Sequence, residues 1–279
     1  MKKLYILFLR LLRKLKILKL IQIKVRSRIK NNIFYVPIIG EIGFDNLDVS
    51  EKWMLDVLDD LSLLDGSTVI DVGVNIGQTL LKIKEVNNNV NYYGFEPNTK
   101  CVDYVNTMIE CNKWKNVYII PAGISLLSGV SVLDFYSDSP ADSCASFQRG
   151  FRGQGVVKSS YCATCSGHDV EKTIGKNNVS LLKIDVEGYE LEVVLALANL
   201  IKSMRPNILI EILPAYTIDN EIRIERQAKV SDILSSLGYV IYRIHKNRFN
   251  GLLSYEEITN FGVHDRLDWC DYLLKPVNL

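Results

Sequence analysis

The stretch at residues 68–82, TVIDVGVNIGQTLLK, constrains this chain more than any other. A β-branched run ends in Asp71, then Gly73, Asn75 and Gly77 turn the chain, and a helical pattern opens at once. A strand that turns this tightly into a helix is the opening of a β-α-β unit. From residue 67 onward the same alternation recurs. Thr68–Gly73, Asn91–Glu96, Val117–Pro121, Ser180–Asp185, Asn207–Ile212 and Tyr239–His245 read as strands, Val130–Tyr136 as an extra one and Tyr272–Lys275 as a short last one. Helical periodicity falls at Ile76–Val86, Thr99–Cys111, Glu190–Ile201 and Ile224–Leu237. Short strands apolar on both faces and separated by helices predict an α/β fold, a doubly wound and mostly parallel sheet covered on both sides. In such a sheet ligands collect at the carboxyl ends of the strands, near the switch point, which places the opening stretch at the expected site.

Charge divides the chain. Residues 1–30 carry eleven of the 33 basic side chains and no acid, so the other 249 positions hold 22 basic residues against 32 acidic ones. The leader MKKLYILFLRLLRKLKILKL lacks the uninterrupted apolar run of a signal peptide or a membrane span, because Arg10 and Arg13 break it. At 100° per residue, Leu4, Leu7, Phe8, Leu11, Leu12, Leu15 and Leu18 share one arc and the cations the other, with Ile6, Leu9 and Ile17 off the pattern. Residues 1–30 are therefore expected as a basic amphipathic helix that lies on an anionic membrane surface, or packs on its own domain or a partner. Residues 31–66, with a helical pattern at Glu51–Leu63, are expected as an accessory segment, and 67–279 as the main domain. No basic stripe with interleaved aromatics follows the leader, so no nucleic acid is expected as a partner. Six cysteines without a regular framework suit reduced thiols and a cytoplasmic location, peripheral at the membrane through the leader.

The loop differs from the dinucleotide fingerprint, since Asn75 stands where a second glycine would let a pyrophosphate approach. Gly73 and Gly77 still permit a tight turn, and Asp71 ends the strand as an acceptor for an amine or its water. Nineteen residues after Gly77, Glu96 closes the second strand, where an acid receives the hydroxyls of an adenosine ribose. Loop and acid in this order point to S-adenosylmethionine rather than NAD; an NAD-dependent oxidoreductase is the alternative, as is a catalytically silent member of the fold. A second constellation, LLKIDVEGYELEVV at 181–194, brings Asp185 to the end of the fourth strand, with Glu187 after it. Glu190 belongs to the first turn of the next helix, where the macrodipole favours an acid. Glu211 is a third acid on the same rim.

With VIDVGVNIGQT at 69–79, GFEPN at 94–98, LLKIDVEGYELEVV at 181–194 and ILIEI at 208–212, the chain resembles the FkbM-type S-adenosylmethionine-dependent methyltransferases. The resemblance implies a seven-stranded class I fold and methyl transfer to a hydroxyl of a saccharide, glycolipid or natural product. It carries Asp71, Gly73, Asn75 and Gly77 into the cofactor loop and Glu96 onto the ribose, sets Asn98 beside that acid, and puts Ala122 at the adenine edge. Asp185 is then the first choice for the base or hydroxyl-orienting acceptor, and Glu187 the second. His168 and His264 are alternative bases, each read first as a solvated loop residue. Residues 137–168, rich in Ser, Gly and Cys, are expected as the substrate loop. Cys162 and Cys165 lack the second ligand pair of a structural zinc site, and no metal is expected.

Overall fold

The computed structural model describes residues 9–12, 14, 17–40, 42–48, 50–150, 155–175 and 177–277. It begins with a short helical piece at 9–12 and a single 3-10 turn at Ile17–Leu20, then an antiparallel hairpin of β1 (Gln22–Ile29) and β2 (Asn32–Ile39). Helix α1 (Lys52–Leu61) leads into the main domain.

The hairpin corrects the expectation of a helix through residue 30. Along β1 the burial alternates strictly, with Lys24, Arg26 and Arg28 outward and Val25, Ser27 and Ile29 inward. That is the period-2 pattern of a half-buried strand, and the cations at every second position belong to it rather than to a helix. The helical arc also shifts: Leu9 and Leu18 are buried with Val25, Val36, Ile38, Phe44 and Leu47, whereas Leu11 is exposed. Leu4, Leu7, Phe8 and Leu15 lie outside the described residues. Among the described residues, no helix is long and apolar enough to cross a membrane.

The main domain continues as β3 (Thr68–Val72), α2 (Gln78–Val86), β4 (Asn91–Phe95), α3 (Thr99–Asn112) and β5 (Val117–Ile120). A satellite sheet of β6 (Gly123–Ile124), β7 (Gly129–Phe135) and β8 (Lys158–Cys165) follows, in the order β6-β8-β7. The chain then runs through α4 (Gly167–Ile174), β9 (Val179–Ile184), α5 (Glu190–Ala196), α6 (Ala198–Met204), β10 (Asn207–Glu211), α7 (Glu221–Ser236), β11 (Tyr239–Lys246), β12 (Leu252–Ile258) and β13 (Asp271–Pro276).

The principal sheet has eight strands in the order β12-β11-β13-β10-β9-β3-β4-β5. The five strands from β10 to β5 pair in parallel, and β13, inserted between β10 and β11, is antiparallel to both. The doubly wound α/β class is as expected. The eighth strand, β12, hairpins onto β11 at the edge. Its half-buried positions, Leu252, Tyr255 and Ile258, fall at every third residue, so it lacks the period-2 apolar signal of a strand. The strand expected at Val130–Tyr136 forms in the satellite sheet, and the helix expected over Glu190–Ile201 breaks at Leu197 into α5 and α6.

Two apolar layers enclose the sheet. One face packs Ile70, Leu182, Ile184 and Ile210 beneath α5, α6 and α7; the other packs Val69, Tyr92, Leu181 and Leu209 beneath α1, α2 and α3. Burial on both sides explains why TVIDV is buried at every position. The chain proceeds from β3 outward to β4 and β5, then returns to place β9 on the other flank of β3. The carboxyl ends of β3, β4 and β9 therefore meet at the switch point, where an open sheet leaves a crevice.

Candidate active site

A cavity of about 230 Å³ opens at those carboxyl ends. One wall is the turn between β3 and α2. Gly73 has φ 87°, and a Cβ there would lie 1.9 Å from the Asp185 carbonyl oxygen, so only glycine lets the tips of β3 and β9 approach this closely. Asn75 is also left-handed (φ 48°), and its Oδ1 accepts the Ile76 N–H at 2.7 Å. Asparagine adopts this conformation because its short polar side chain bonds locally.

Glu96, just past β4, anchors the turn. Its Oε2 accepts the Asn75 N–H at 2.7 Å, and its Oε1 accepts the Asn98 N–H at 2.8 Å. The residue is only 6% exposed, and it lines the cavity. Burial pushes its pKa up to about 7, against the two backbone N–H groups that favour the charged form. Each oxygen retains a lone pair beyond the backbone bond it already accepts.

The opposite wall carries Asp185, whose side chain is 34% exposed to the cavity. Lys183, two residues earlier on β9, points the same way because strand side chains alternate. It stands in register with Asp71 on β3. Its Nζ donates to Asp185 Oδ2 and to the Gly73 carbonyl oxygen, each at 3.1 Å, and forms an ion pair with Asp71 Oδ1 at 3.3 Å. Burial works against this ammonium, but Asp185 and Asp71 outweigh it and hold Lys183 charged. Glu211, at the end of β10, lines the same cavity beside Asp185. Burial, reinforced by Asp185, Asp271 and Glu187, raises Glu211 above the carboxylate range and favours its protonated form. Asp185 thus pairs with the Lys183 ammonium and has the Glu211 carboxyl as a neighbour on the same rim.

The third wall is the segment after β7. Asp142 accepts the backbone N–H groups of Tyr136 (2.7 Å), Ser137 (3.0 Å) and Cys144 (3.1 Å), which folds the loop back onto itself. Ser146 Oγ donates to the Glu187 carbonyl at 2.7 Å and ties this loop to the start of the next helix. The Phe147 ring lies against Gly123, where a Cβ would come within 2.2 Å, and 5.5 Å from the Tyr189 ring.

Of the residues singled out in the sequence, Gly73, Asn75, Glu96, Asp185, Glu187 and Glu211 line the cavity. Four others do not. Asp71, expected at the cofactor, is turned into the sheet, where it accepts the Tyr92 hydroxyl and faces Lys183. Gly77 starts α2 against α3, with Met108 Cε 2.6 Å from where its Cβ would be. Asn98 caps α3 by accepting the Lys100 N–H at 3.1 Å and donates to the Pro140 carbonyl at 2.9 Å. Ala122 is buried, and its neighbours Gly123 and Ile124 form the lining instead.

The other candidate residues sit elsewhere. His168 is exposed at the start of α4, and His264 bonds Tyr272 at 3.4 Å, outside the cavity lining. Glu190 accepts the Gly188 N–H at 2.7 Å, a local role at the start of α5. Cys162 and Cys165, three apart on β8, fall on opposite faces of that strand. Among the described residues, no group of three His, Cys, Asp or Glu side chains is placed to hold a metal ion. Lys183, Ser146 and Phe147 were not singled out in the sequence. Lys183 had a signal, since a lysine two residues before a strand-end acid must share its face.

The donor set suits an adenosyl group. A buried carboxylate with free lone pairs at the tip of β4 would hold the two ribose hydroxyls. The backbone of Gly73 and Asn75 would approach the amino-acid end closely, and Phe147, Ile124 and Leu133 give an apolar bed for a flat base.

Comparison with known proteins identifies a family. The family profile described as Methyltransferase FkbM domain matches residues 71–241, more than half of the chain. Among solved structures, the methyltransferase FkbM from Methylobacillus flagellatus is 14% identical with a TM-score of 0.48, over 76% of this chain and 44% of that one. This chain therefore spans less than half the length of that protein. A precorrin-6y C5,15-methyltransferase from Geobacter metallireducens is 13% identical, with a TM-score of 0.41 over 82% of this chain and 93% of that one. A SAM-dependent methyltransferase from Aquifex aeolicus is 14% identical, with a TM-score of 0.41 over 81% and 90%. No curated protein matches this chain.

Proposed function

This chain belongs to the FkbM family of S-adenosylmethionine-dependent methyltransferases, and on that footing we propose that it methylates a hydroxyl oxygen of a saccharide or glycolipid. The observation that carries the reading is one cavity lined by both Glu96 and Asp185, with Asp185 paired to Lys183 and Glu211 beside it.

Bound S-adenosylmethionine supplies an electrophilic methyl group on a sulfonium. Glu96 would accept its ribose hydroxyls, and the Gly73–Asn75 backbone would position its amino-acid end. The acceptor hydroxyl enters beneath the loop that Asp142 folds, and Asp185 accepts a hydrogen bond from it. That bond aligns the oxygen for in-line attack, which is where most of the acceleration arises. Transfer of the methyl group to the acceptor oxygen would break the methyl–sulfur bond and leave S-adenosylhomocysteine, and the hydroxyl proton would pass to Asp185. Lys183, paired with Asp185, holds it in one rotamer while it waits for that proton. Glu187, whose carbonyl is tied to Ser146, lines the acceptor side and contributes to acceptor orientation.

The hydroxyl-bearing acceptor is supported by the lining. Acids and serines converge on the cavity, a set that pairs with hydroxyl groups. The outward cations of β1 further support a peripheral meeting with an anionic membrane, which would bring the protein to a lipid-linked acceptor.

The test is incubation with methyl-labelled cofactor and glycan or glycolipid extracts, followed by identification of the labelled product. Label in an acid-stable, base-stable ether on a sugar supports the reading; label only in protein or nucleic acid contradicts it. Asp185→Asn is expected to lower turnover by about 10²- to 10⁴-fold with cofactor affinity largely kept.

A further inference from the structure

At the amino-terminal ends of β4 and β5 lies a second cleft, of about 510 Å³ and more than twice the volume of the active-site cavity. It runs between β2 and the loops that precede those strands. The five residues of β4, about 17 Å of extended chain, separate it from the catalytic rim. Methyl transfer makes no use of it.

Its lining is chemically one-sided. Lys84, Lys113 and Lys115 contribute cations, five asparagines contribute amides, and no acid lines it. This contrasts with the main domain, whose charge is acidic on balance. Lys84 is 1% exposed, and its Nζ donates to the Asn88 carbonyl at 3.0 Å and the Val90 carbonyl at 3.1 Å. Among the described residues no carboxylate pairs with it. Burial draws its pKa down to about 8, and it remains largely charged at neutral pH. A buried cation held only by neutral acceptors sets a positive potential in the cleft that an anion would relieve.

The neutral groups narrow the class of anion. The side-chain amides of Asn88 and Asn116 bond no other described residue, and both residues are exposed on the rim. Each offers an acceptor and two donors, the set that pairs with vicinal hydroxyls. Trp114 stands between Lys113 and Lys115, half-exposed, its indole braced edge-on by Phe34 at 5.7 Å. A braced indole gives a flat face for the C–H side of a pyranose ring. A run of stacked nucleobases needs successive open aromatic faces. Here the third aromatic ring of the lining, Tyr35, already carries the Lys24 ammonium 4.2 Å from its centroid.

We propose that this cleft binds an acidic oligosaccharide, with Trp114 against a sugar ring, Asn88 and Asn116 on hydroxyls, and the exposed Lys113 and Lys115 on uronate or phosphate groups, while the buried Lys84 adds to the positive potential. The site is spatially separate from the catalytic rim and, resting on the saccharide reading above, would anchor an extended glycan at a distance from the reacting hydroxyl.

Affinity electrophoresis of the full chain in native gels containing polygalacturonate, dextran or poly(U) tests this. Polygalacturonate is expected to retard the protein, and dextran and poly(U) much less. The exposed pair K113E/K115E and the single variant Trp114→Ala are each expected to weaken retardation about tenfold. The charge-matched control K172E/K202E, on exposed lysines of α4 and α6, keeps it. Affinity for S-adenosylhomocysteine, measured in parallel, stays unchanged in all variants; that readout fails only if the active-site reading fails. Equal retardation by dextran, stronger retardation by poly(U), or equal losses in the control and the cleft variants would each overturn the proposal.

Discussion

Glu96 shows how one residue ties fold to chemistry. Its carboxylate accepts two backbone N–H groups and so shapes the cofactor turn, yet burial leaves it titrating near neutrality, at about 7 rather than in the usual carboxylate range. Its charged form is the better acceptor for ribose hydroxyls, so nucleoside binding favours ionisation. Affinity for S-adenosylhomocysteine should therefore rise about tenfold from pH 6 to pH 8, as the ionised fraction climbs from ~0.1 to ~0.9. Titration calorimetry in buffers of different ionisation enthalpy should register proton release near pH 6. Glu96→Gln should abolish that release and flatten the pH dependence; a pH-dependent affinity that survives in Glu96→Gln would contradict the assignment. The stability consequence has the opposite sense. A folded-state pKa above the unfolded value adds stability that is complete below about 4.5 and is lost as pH rises through about 7.

At this same scale the sequence was legible in part. The glycine turn and the acid at the end of β4 were readable from order and spacing, because both are local. The inward turn of Asp71 was not. It depends on Lys183 and Tyr92, which reach it only through strand pairing across more than a hundred residues in one case and 21 in the other. A strand-end acid looks the same in sequence whether it faces solvent, ligand or a buried lysine.

Among the elements, the buried parallel strands were the most readable, since a short apolar run bounded by turns and rich in β-branched residues suits a strand covered on both faces. The β1–β2 hairpin was the least. The leader's basic composition and leucines suggested one helix, and the strict alternation of Lys24, Val25, Arg26, Ser27, Arg28 and Ile29 was absorbed into it. What holds the hairpin to the main domain is specific. Asn112, in the last turn of α3, accepts the Tyr35 N–H at 2.7 Å and donates to the Tyr35 carbonyl at 2.8 Å, so one side-chain amide pairs with the outer edge of β2 as a neighbouring strand would. Asn112→Ala removes both bonds and should lower stability by about 1–2 kcal/mol in urea unfolding. A change below about 0.3 kcal/mol would mean that apolar packing and the other polar ties, among them Glu85 with the Asn31 and Asn32 N–H groups and the Tyr104 hydroxyl with the Pro37 carbonyl, dock the hairpin without Asn112. β12 escaped notice for a different reason: an edge strand with half-exposed faces carries polar residues and little periodic signal.

Seen whole, the molecule is polarised. Basic residues gather at the amino terminus, and the main domain is acidic on balance. On the hairpin the cations of β1 face outward, and their cross-strand neighbours Tyr35 and Ile33 are exposed beside them. Such a face suits an anionic membrane surface, each exposed cation adding roughly 1 kcal/mol of attraction. Sedimentation with vesicles containing phosphatidylserine should carry down the protein at low salt, and R26E/R28E should reduce the bound fraction severalfold. Equal binding by the variant, or equal binding to neutral vesicles, would contradict a role for this face. The catalytic rim and the asparagine-lined cleft stand at opposite ends of the same strands, which gives the sheet two separate binding edges.

On the proposed reading, the tips of β3, β4 and β9 hold the cofactor so that its sulfur faces Asp185. A crystal structure with S-adenosylhomocysteine tests this most directly. The ribose hydroxyls should lie within hydrogen-bond distance of Glu96, with the sulfur turned toward Asp185 across an open space for the acceptor oxygen. A nucleoside bound elsewhere, or a sulfur turned away from Asp185, would contradict the account.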